Sequence, residues 1–178
     1  MCHACGCGED GRTIREIVYR DPANPTPDEL ILRSVEDALA VAETWLGWSG
    51  MATLSLGNAW TPHKALRRIT DHLVDHLHQI ECRAAGTQTI SDAWRGRATT
   101  LNSDWAAFTE DELNEATARL RRLAETIASR LRALRSDWDT QPPDGEWSLR
   151  RIAEHLAEGS ATYASRVQST PTAPPPRT

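Results

Sequence analysis

Three histidines stand at spacings that could hold a metal ion. His72 and His76 are four residues apart within an apolar helical pattern, so we expect their side chains one turn apart on the same face. His155 follows His72 by 83 residues and lies in a similar helical pattern. Two imidazoles from one helix and a third from a facing helix leave coordination positions open for water or a substrate. The spacing therefore predicts a divalent metal site at His72, His76 and His155.

A short internal repeat surrounds two of these histidines. Residues 66–73 and 149–156 are identical at six of eight positions, and the histidine stands at the same place in both copies. The repeat predicts two helix pairs related by a pseudo-twofold axis. The position that corresponds to His76 in the second copy is Gly159, so the repeat supplies three histidines and not four.

Apolar periodicity and helix-terminating residues define four helices. We expect the first from Pro27 toward Gly47, the second from Thr61-Pro62 to Gly86, the third from the capping box Thr109–Glu112 onward, and the fourth from Trp147-Ser148 to near Val167. Residues 86–108 carry no clear period, and strand signals are nearly absent apart from residues 13–19. Four amphipathic helices must bury their apolar stripes against one another. The sequence therefore predicts an all-α fold, a four-helix bundle of the up-down type.

Composition divides the chain into three parts. Residues 1–25 form a short irregular extension, residues 26–168 form the bundle, and residues 169–178, rich in proline and threonine, form a tail that we expect to be disordered. The extension carries closely spaced thiols and an imidazole, a combination that makes it a candidate second metal site or redox site: Cys2, Cys5, Cys7 and His3.

Two segments resemble the DinB/YfiT-like superfamily. Residues 147–158, which begin with Trp-Ser and contain Glu-His-Leu, are similar to the second helix of that superfamily, and residues 61–80, with paired histidines before a glutamine, are similar to its last helix. The resemblance, which covers residues 28–168 loosely, implies a four-helix bundle that holds a divalent metal through His155, His72 and His76. The single-histidine helix here follows the paired-histidine helix, which implies a circularly permuted order.

The resemblance also implies a class of chemistry. It implies a metal-dependent enzyme that acts on a small molecule, either a hydrolase or a thiol S-transferase or isomerase with a low-molecular-weight thiol as cosubstrate. Zinc is the expected metal, and nickel, iron and manganese are the alternatives. A thiol carboxylate would need a basic contact, for which the repeat offers four candidates: Arg67, Arg68, Arg150 and Arg151. No catalytic residue follows from the sequence.

Carboxylates near the histidines are candidates for supporting roles. Asp75 and Glu158 could orient an imidazole through a hydrogen bond, and Glu81 could act as a general base if the end of its helix curls inward. The competing interpretation for each is a solvated acidic face. His78 and His63 are expected at the surface or flank of the bundle, outside the metal site.

Composition limits the partners. The net charge of −5 and the isoelectric point near 5.7 argue against nucleic acid. No apolar run is long enough to span a membrane, and the first residues lack a secretory pattern, so we expect a cytoplasmic protein. There are two alternatives to an enzyme. One is a non-catalytic bundle that binds a metal or a small molecule and could form a homodimer through a tryptophan-rich face. The other is a bundle whose core histidines bind no metal.

Overall fold

The computed structural model describes residues 24–55, 57–90, 98–142 and 145–169. These residues contain four long helices: α1 (Pro27–Glu43), α2 (Pro62–Ala85), α3 (Glu110–Ala133) and α4 (Leu149–Ala164). Two single-turn 3-10 helices, Asn102–Trp105 and Arg135–Asp137, lie in the connections. The predicted all-α four-helix fold is confirmed. The candidate strand at residues 13–19 and most of the N-terminal extension lie outside the described residues, as does the tail from residue 170 onward.

The ends of α2 and α4 follow from local hydrogen bonds. The Thr61 hydroxyl accepts a hydrogen bond from the backbone N–H of Lys64 at 3.2 Å, and the Ser148 hydroxyl accepts one from that of Arg151 at 3.2 Å. Helix α2 ends at Gly86, whose φ of 66° is the left-handed conformation that favours glycine. The two helices that carry the histidines therefore begin where the sequence predicts.

The helix directions follow from contacts near the helix ends. Thr44 and Ser169, just beyond the ends of α1 and α4, are joined by a hydrogen bond of 3.0 Å, so these two helices are parallel. Helices α2 and α3 are also parallel, because Arg130 pairs with Glu81 near both C-terminal ends. Arg83, at the end of α2, donates to the Trp147 carbonyl just before α4 at 2.8 Å, so α2 and α4 are antiparallel.

These directions correct the expectation of a simple up-down bundle. Helices α1 and α2 are antiparallel, but α3 runs with α2 and α4 runs with α1, and each of α1 and α2 packs against both α3 and α4. The order is feasible because the described residues before α3, such as Thr100 and Asp104, lie beside the start of α2. There Asp104 accepts hydrogen bonds from the Arg67 guanidinium at 2.6 and 3.1 Å.

A short hairpin between α1 and α2 was not predicted. Strand β1 (Thr53–Ser55) pairs antiparallel with β2 (Asn58–Trp60), with Thr53 opposite Trp60. Three-residue strands carry too little alternation to stand out in a sequence. The hairpin lies beside the end of α4, where the backbone N–H of Gln168 donates to the Thr53 hydroxyl at 3.3 Å.

The core reproduces the internal repeat. Ile69 and Leu73 of α2 and their counterparts Ile152 and Leu156 of α4 are each at most 1% exposed. Antiparallel packing of α2 with α4 and of α1 with α3 is the arrangement that a pseudo-twofold axis across the bundle produces. In the part of the chain that the structure describes, none of the helices combines the length and apolar character that a membrane-spanning segment needs.

Leu73→Ala tests the central packing of α2 directly. Leu73 is fully buried, so the variant leaves a cavity and lowers the free energy of unfolding by about 2–5 kcal/mol. Val74→Ala, one residue along at 43% exposed, is the matched control and changes it by no more than about 0.5 kcal/mol. Urea unfolding followed by circular dichroism measures both, and equal losses would contradict the described packing.

Candidate metal centre

The antiparallel packing of α2 and α4 brings the three predicted histidines together. One ring nitrogen from each of His72, His76 and His155 lies within 4.8 Å of the other two. The Nε2 atoms of His72 and His155 are 3.0 Å apart, and the ring centroids of each pair lie 4.8 to 5.1 Å apart. The cluster is thus a compact set of imidazole nitrogens contributed by two helices.

Burial favours the metal-binding form of His155. His72 is buried, whereas His76 and His155 are half-buried. The pKa of His155 is lowered from its ordinary value of 6.5, chiefly by burial and further by the neighbouring His76 and Arg151. A lowered pKa keeps this imidazole neutral, and only the neutral ring offers a nitrogen lone pair to a metal.

Gln79 fixes the orientation of one imidazole. Nδ1 of His76 is 2.8 Å from the Gln79 side-chain oxygen, which only accepts hydrogen bonds, so we assign the ring proton to Nδ1. Nε2 of His76 then carries the free lone pair. The Gln79 amide nitrogen in turn donates to the Glu146 carboxylate at 2.6 Å. This pair was not predicted from the sequence, although the three-residue spacing of Gln79 from His76 was a signal for contact.

Aromatic rings enclose the cluster on two sides. Trp147 stacks on His76 at 6.5 Å and 16° and meets His155 at 4.8 Å, while Tyr163 meets the edge of His72 at 5.7 Å. These rings restrict the rotation of the imidazoles and exclude water from part of their surface. Neither Trp147 nor Tyr163 was assigned to the site from the sequence.

Gly159 explains why the repeat yields three histidines. This glycine occupies the position in α4 that corresponds to His76 in α2, and a Cβ placed on it would collide with Cε1 and Nδ1 of His72. The His72 ring fills the space that a fourth side chain would need. The break in the repeat therefore makes room for the ring of His72, one of the three clustered histidines.

The donor set fits a divalent ion that prefers nitrogen. Zinc binds imidazole nitrogen at about 2.0–2.1 Å, which separates two nitrogens of a tetrahedral site by roughly 3.3 Å. The separation of 3.0 Å between the Nε2 atoms of His72 and His155 lies close to that value, and the ring nitrogen of His76 lies within 4.8 Å of the other two. Three imidazoles suit zinc, nickel and iron better than magnesium or calcium.

The other predicted site residues have different surroundings, and four of them lie outside the described chain. Asp75 is half-buried on α2, and Glu158 is exposed on α4, where its carboxylate accepts a hydrogen bond from Arg151 at 3.1 Å. The His76 ring donates its hydrogen bond to the side-chain oxygen of Gln79. Glu81 pairs with Arg130 of α3, which corrects the idea that it curls inward as a general base. Four candidates lie outside the described residues: Cys2, Cys5, Cys7 and His3.

Two further histidines lie outside the cluster, as expected. His63 packs edge-on against Phe108 at 5.4 Å. His78 is half-buried, lies 3.5 Å from the Cys82 sulfur and accepts a hydrogen bond from the backbone N–H of Ile90 at 3.2 Å. Both therefore serve as matched controls for the three clustered histidines.

The arginines of the repeat all have carboxylate partners. Each forms an ion pair with an acidic residue of the bundle or its connections: Arg67 with Asp104, Arg68 with Asp71, Arg150 with Asp139, and Arg151 with Glu154 and Glu158. These four arginines, which the sequence offered as contacts for a substrate, are thus already held in ion pairs within the fold.

A cavity of about 270 Å³ adjoins the cluster. His72 and His155 form part of its wall, together with side chains from the hairpin and from the second half of α4. A small molecule in this cavity would lie directly beside the histidine nitrogens. A catalytic metal centre needs clustered donor atoms and adjoining space for a substrate, and the three imidazoles and the cavity offer both.

Gln79→Ala tests the orientation of His76. Loss of the amide oxygen frees the ring to rotate, and we expect zinc affinity to fall about 10–100-fold, as for other residues that orient metal-bound histidines. Competition with a chromophoric chelator measures the affinity. Gln88→Ala, on the exposed segment after α2, is the control and keeps wild-type affinity. An unchanged affinity in Gln79→Ala would show that the hydrogen bond does not orient a ligand.

The metal-free protein should lose stability in mild acid. The unfolded state takes up a proton on His155 near pH 6.5, whereas the folded state, with its lowered pKa, does so only at lower pH. The free energy of unfolding therefore falls as the pH decreases from 6.5 toward the folded pKa and levels off below it. Urea unfolding with chelator present measures this, and His155→Asn flattens the slope. A slope unchanged in that variant would assign the effect to other groups.

Comparison with known proteins identifies no relative. No protein-family model matches the chain, and neither a curated protein nor a solved structure matches it. The DinB/YfiT-like resemblance therefore rests on the residues quoted for it.

Proposed function

We propose that the chain is a metal-dependent enzyme of the DinB-like type, in which His72, His76 and His155 hold a divalent ion, with zinc as the preferred metal. One observation carries the proposal: three imidazole nitrogens from two helices lie within 4.8 Å of one another and adjoin a cavity. When bound, such an ion acts as a Lewis acid and lowers the pKa of a coordinated water or thiol. The permuted helix order is part of the same proposal.

The residues around the cluster have distinct roles in this proposal. Gln79 holds the proton on Nδ1 of His76 and so directs Nε2 toward the ion. Trp147 and Tyr163 limit imidazole rotation and keep water from part of the cluster. His72 and His155 connect the cluster to the cavity, where the substrate binds.

The reaction is hydrolysis of a small molecule or transfer of a low-molecular-weight thiol. The size of the cavity, about 270 Å³, supports a small-molecule substrate. A net charge of −5 supports the same conclusion, since nucleic acid favours a basic surface. We place the protein in the cytoplasm, where free thiols remain reduced and a thiol cosubstrate is available.

A second candidate function is metal or small-molecule binding without catalysis. It is favoured by Glu158, the carboxylate in the cavity wall, which is bound by Arg151 and is therefore less available to move a proton. The two candidates differ in turnover. Metal-dependent turnover of an ester or thiol substrate that is lost in His155→Ala supports the enzyme, and stoichiometric binding without turnover supports the binding protein.

Metal content tests the ligand assignment. We expect about one equivalent of zinc, nickel, iron or manganese in tag-free protein and its loss in His72→Ala and in His155→Ala, because each substitution removes one of three ligands. Elemental analysis of the purified proteins, before and after reconstitution, measures this.

The controls separate this site from other metal sites. His63→Ala and His78→Ala retain the metal, since neither ring belongs to the cluster. The metal could instead persist in the His72 and His155 variants and disappear when Cys2, Cys5 and Cys7 are replaced. That result would assign the metal site to the N-terminal extension. A wild-type protein that binds no metal after reconstitution would overturn the proposal.

A further inference from the structure

The cavity beside the histidines has walls from two parts of the chain. The hairpin contributes Ser55, Asn58 and Trp60, the second half of α4 contributes Thr162 and Tyr163, among others, and Arg166 follows just after the end of α4. Trp60 and Tyr163 stack at 5.7 Å and 21°, and Tyr163 also touches the His72 ring. An aromatic wall thus leads from the imidazole cluster to the end of α4.

Arg166 differs from the arginines of the repeat. Its guanidinium donates a hydrogen bond to the Ser55 hydroxyl and lies over the Trp60 ring, 5.8 Å from its centroid. Across residues 24–55, 57–90, 98–142 and 145–169 it forms no ion pair with a carboxylate, whereas each arginine of the repeat forms one. Because Arg166 is half-buried, it lies in a position to act on a molecule in the cavity.

The charges around the cavity favour an anion. Glu158 is the acidic residue in its wall, and Arg151 balances that carboxylate with a contact of 3.1 Å. The Arg166 charge has no such balance among the described residues. The remaining hairpin and α4 side chains of the wall, such as Asn58 and Thr162, are neutral hydrogen-bonding groups. A single unbalanced guanidinium matches the single negative charge of a carboxylate better than the higher charge of a phosphate.

Trp60 adds a second feature to the same wall. Its side chain is 2% exposed, and its indole Nε1 is buried without a hydrogen-bond acceptor in the described part of the chain. Buried N–H groups are normally paired, and one that stays unpaired costs free energy. An unpaired buried N–H calls for an explanation, and in a residue of the cavity wall an acceptor supplied by a ligand is one.

We propose that this cavity binds a small carboxylic acid, with its carboxylate on Arg166 and its opposite end at the three histidines. The contact between the carboxylate and Arg166 does not depend on a bound metal, whereas the contact at the histidines rests on the proposed metal site. The guanidinium offers paired N–H donors to the carboxylate oxygens, and Ser55 holds the guanidinium in place. At about 270 Å³, the volume admits a small molecule and excludes a polymer.

Thiol acids and their amides test the proposal because they differ in charge and hardly in size. Mercaptopropanoate, mercaptohexanoate and the two matching amides are titrated into the full chain loaded with cobalt(II), whose absorption reports thiol binding. We expect at least one of the acids to bind about tenfold more tightly than its amide. Arg166→Gln removes this preference, and Arg166→Lys, which retains the charge, keeps part of it.

Arg135→Gln is the matched control. Arg135 also lies over a tryptophan ring, 5.6 Å from the centroid of Trp138, but takes no part in the cavity wall. This variant keeps the full preference for the acid. A preference that survives in Arg166→Gln, or that is absent from the wild-type protein, overturns the proposal.

A second measurement separates this proposal from the metal site. The chain without metal is titrated with hexanoate and with hexanamide, and the indole N–H resonance of Trp60 is followed by NMR. A shift that hexanoate alone causes, and that Arg166→Gln abolishes, supports the carboxylate site even if cobalt does not bind. Bound cobalt together with equal affinity for acid and amide rejects the carboxylate site and leaves the metal site intact.

Discussion

The contact between His72 and His155 across the α2–α4 interface is the feature on which the rest of the site depends. It places two Nε2 atoms 3.0 Å apart and requires α2 and α4 to be antiparallel and in register. Fully buried leucines on both helices fix that register, so the apolar core positions the polar site. The geometry of the histidine cluster is a consequence of helix packing, and the hairpin contributes to the cavity wall beside it.

The bundle departs from its pseudo-twofold symmetry around the histidine cluster, and these departures make the two related halves differ. His76 has Gly159 as its counterpart, and the missing side chain accommodates the His72 ring. Arg68, at 3% exposed, is buried beside Tyr163, whereas the side chain of its counterpart Arg151 is 43% exposed. A symmetric bundle would fill both sides equally, but this one leaves a cavity on the side of the hairpin and the end of α4.

The polar residues of the interior are held in a connected set of interactions. His76 is bound by Gln79 and Gln79 by Glu146, while the aromatic face of Trp147 covers two imidazoles. Burial lowers the pKa of His155 and so favours the neutral ring. These interactions offset the cost of burying polar groups and hold the rings in a defined orientation, which a site for metal binding needs before the ion arrives.

The sequence by itself determined the helices that carry the site and which histidines share it, because helical periodicity, caps and a repeat are local patterns. Thr61 and Ser148 begin α2 and α4 as predicted, and the repeat aligned His72 with His155. Tertiary structure decided the helix directions, the hairpin, the role of Gln79 and the ion pairs of the repeat arginines. Those features depend on contacts between residues distant in the chain, such as Ser55 with Arg166, which no local spacing encodes.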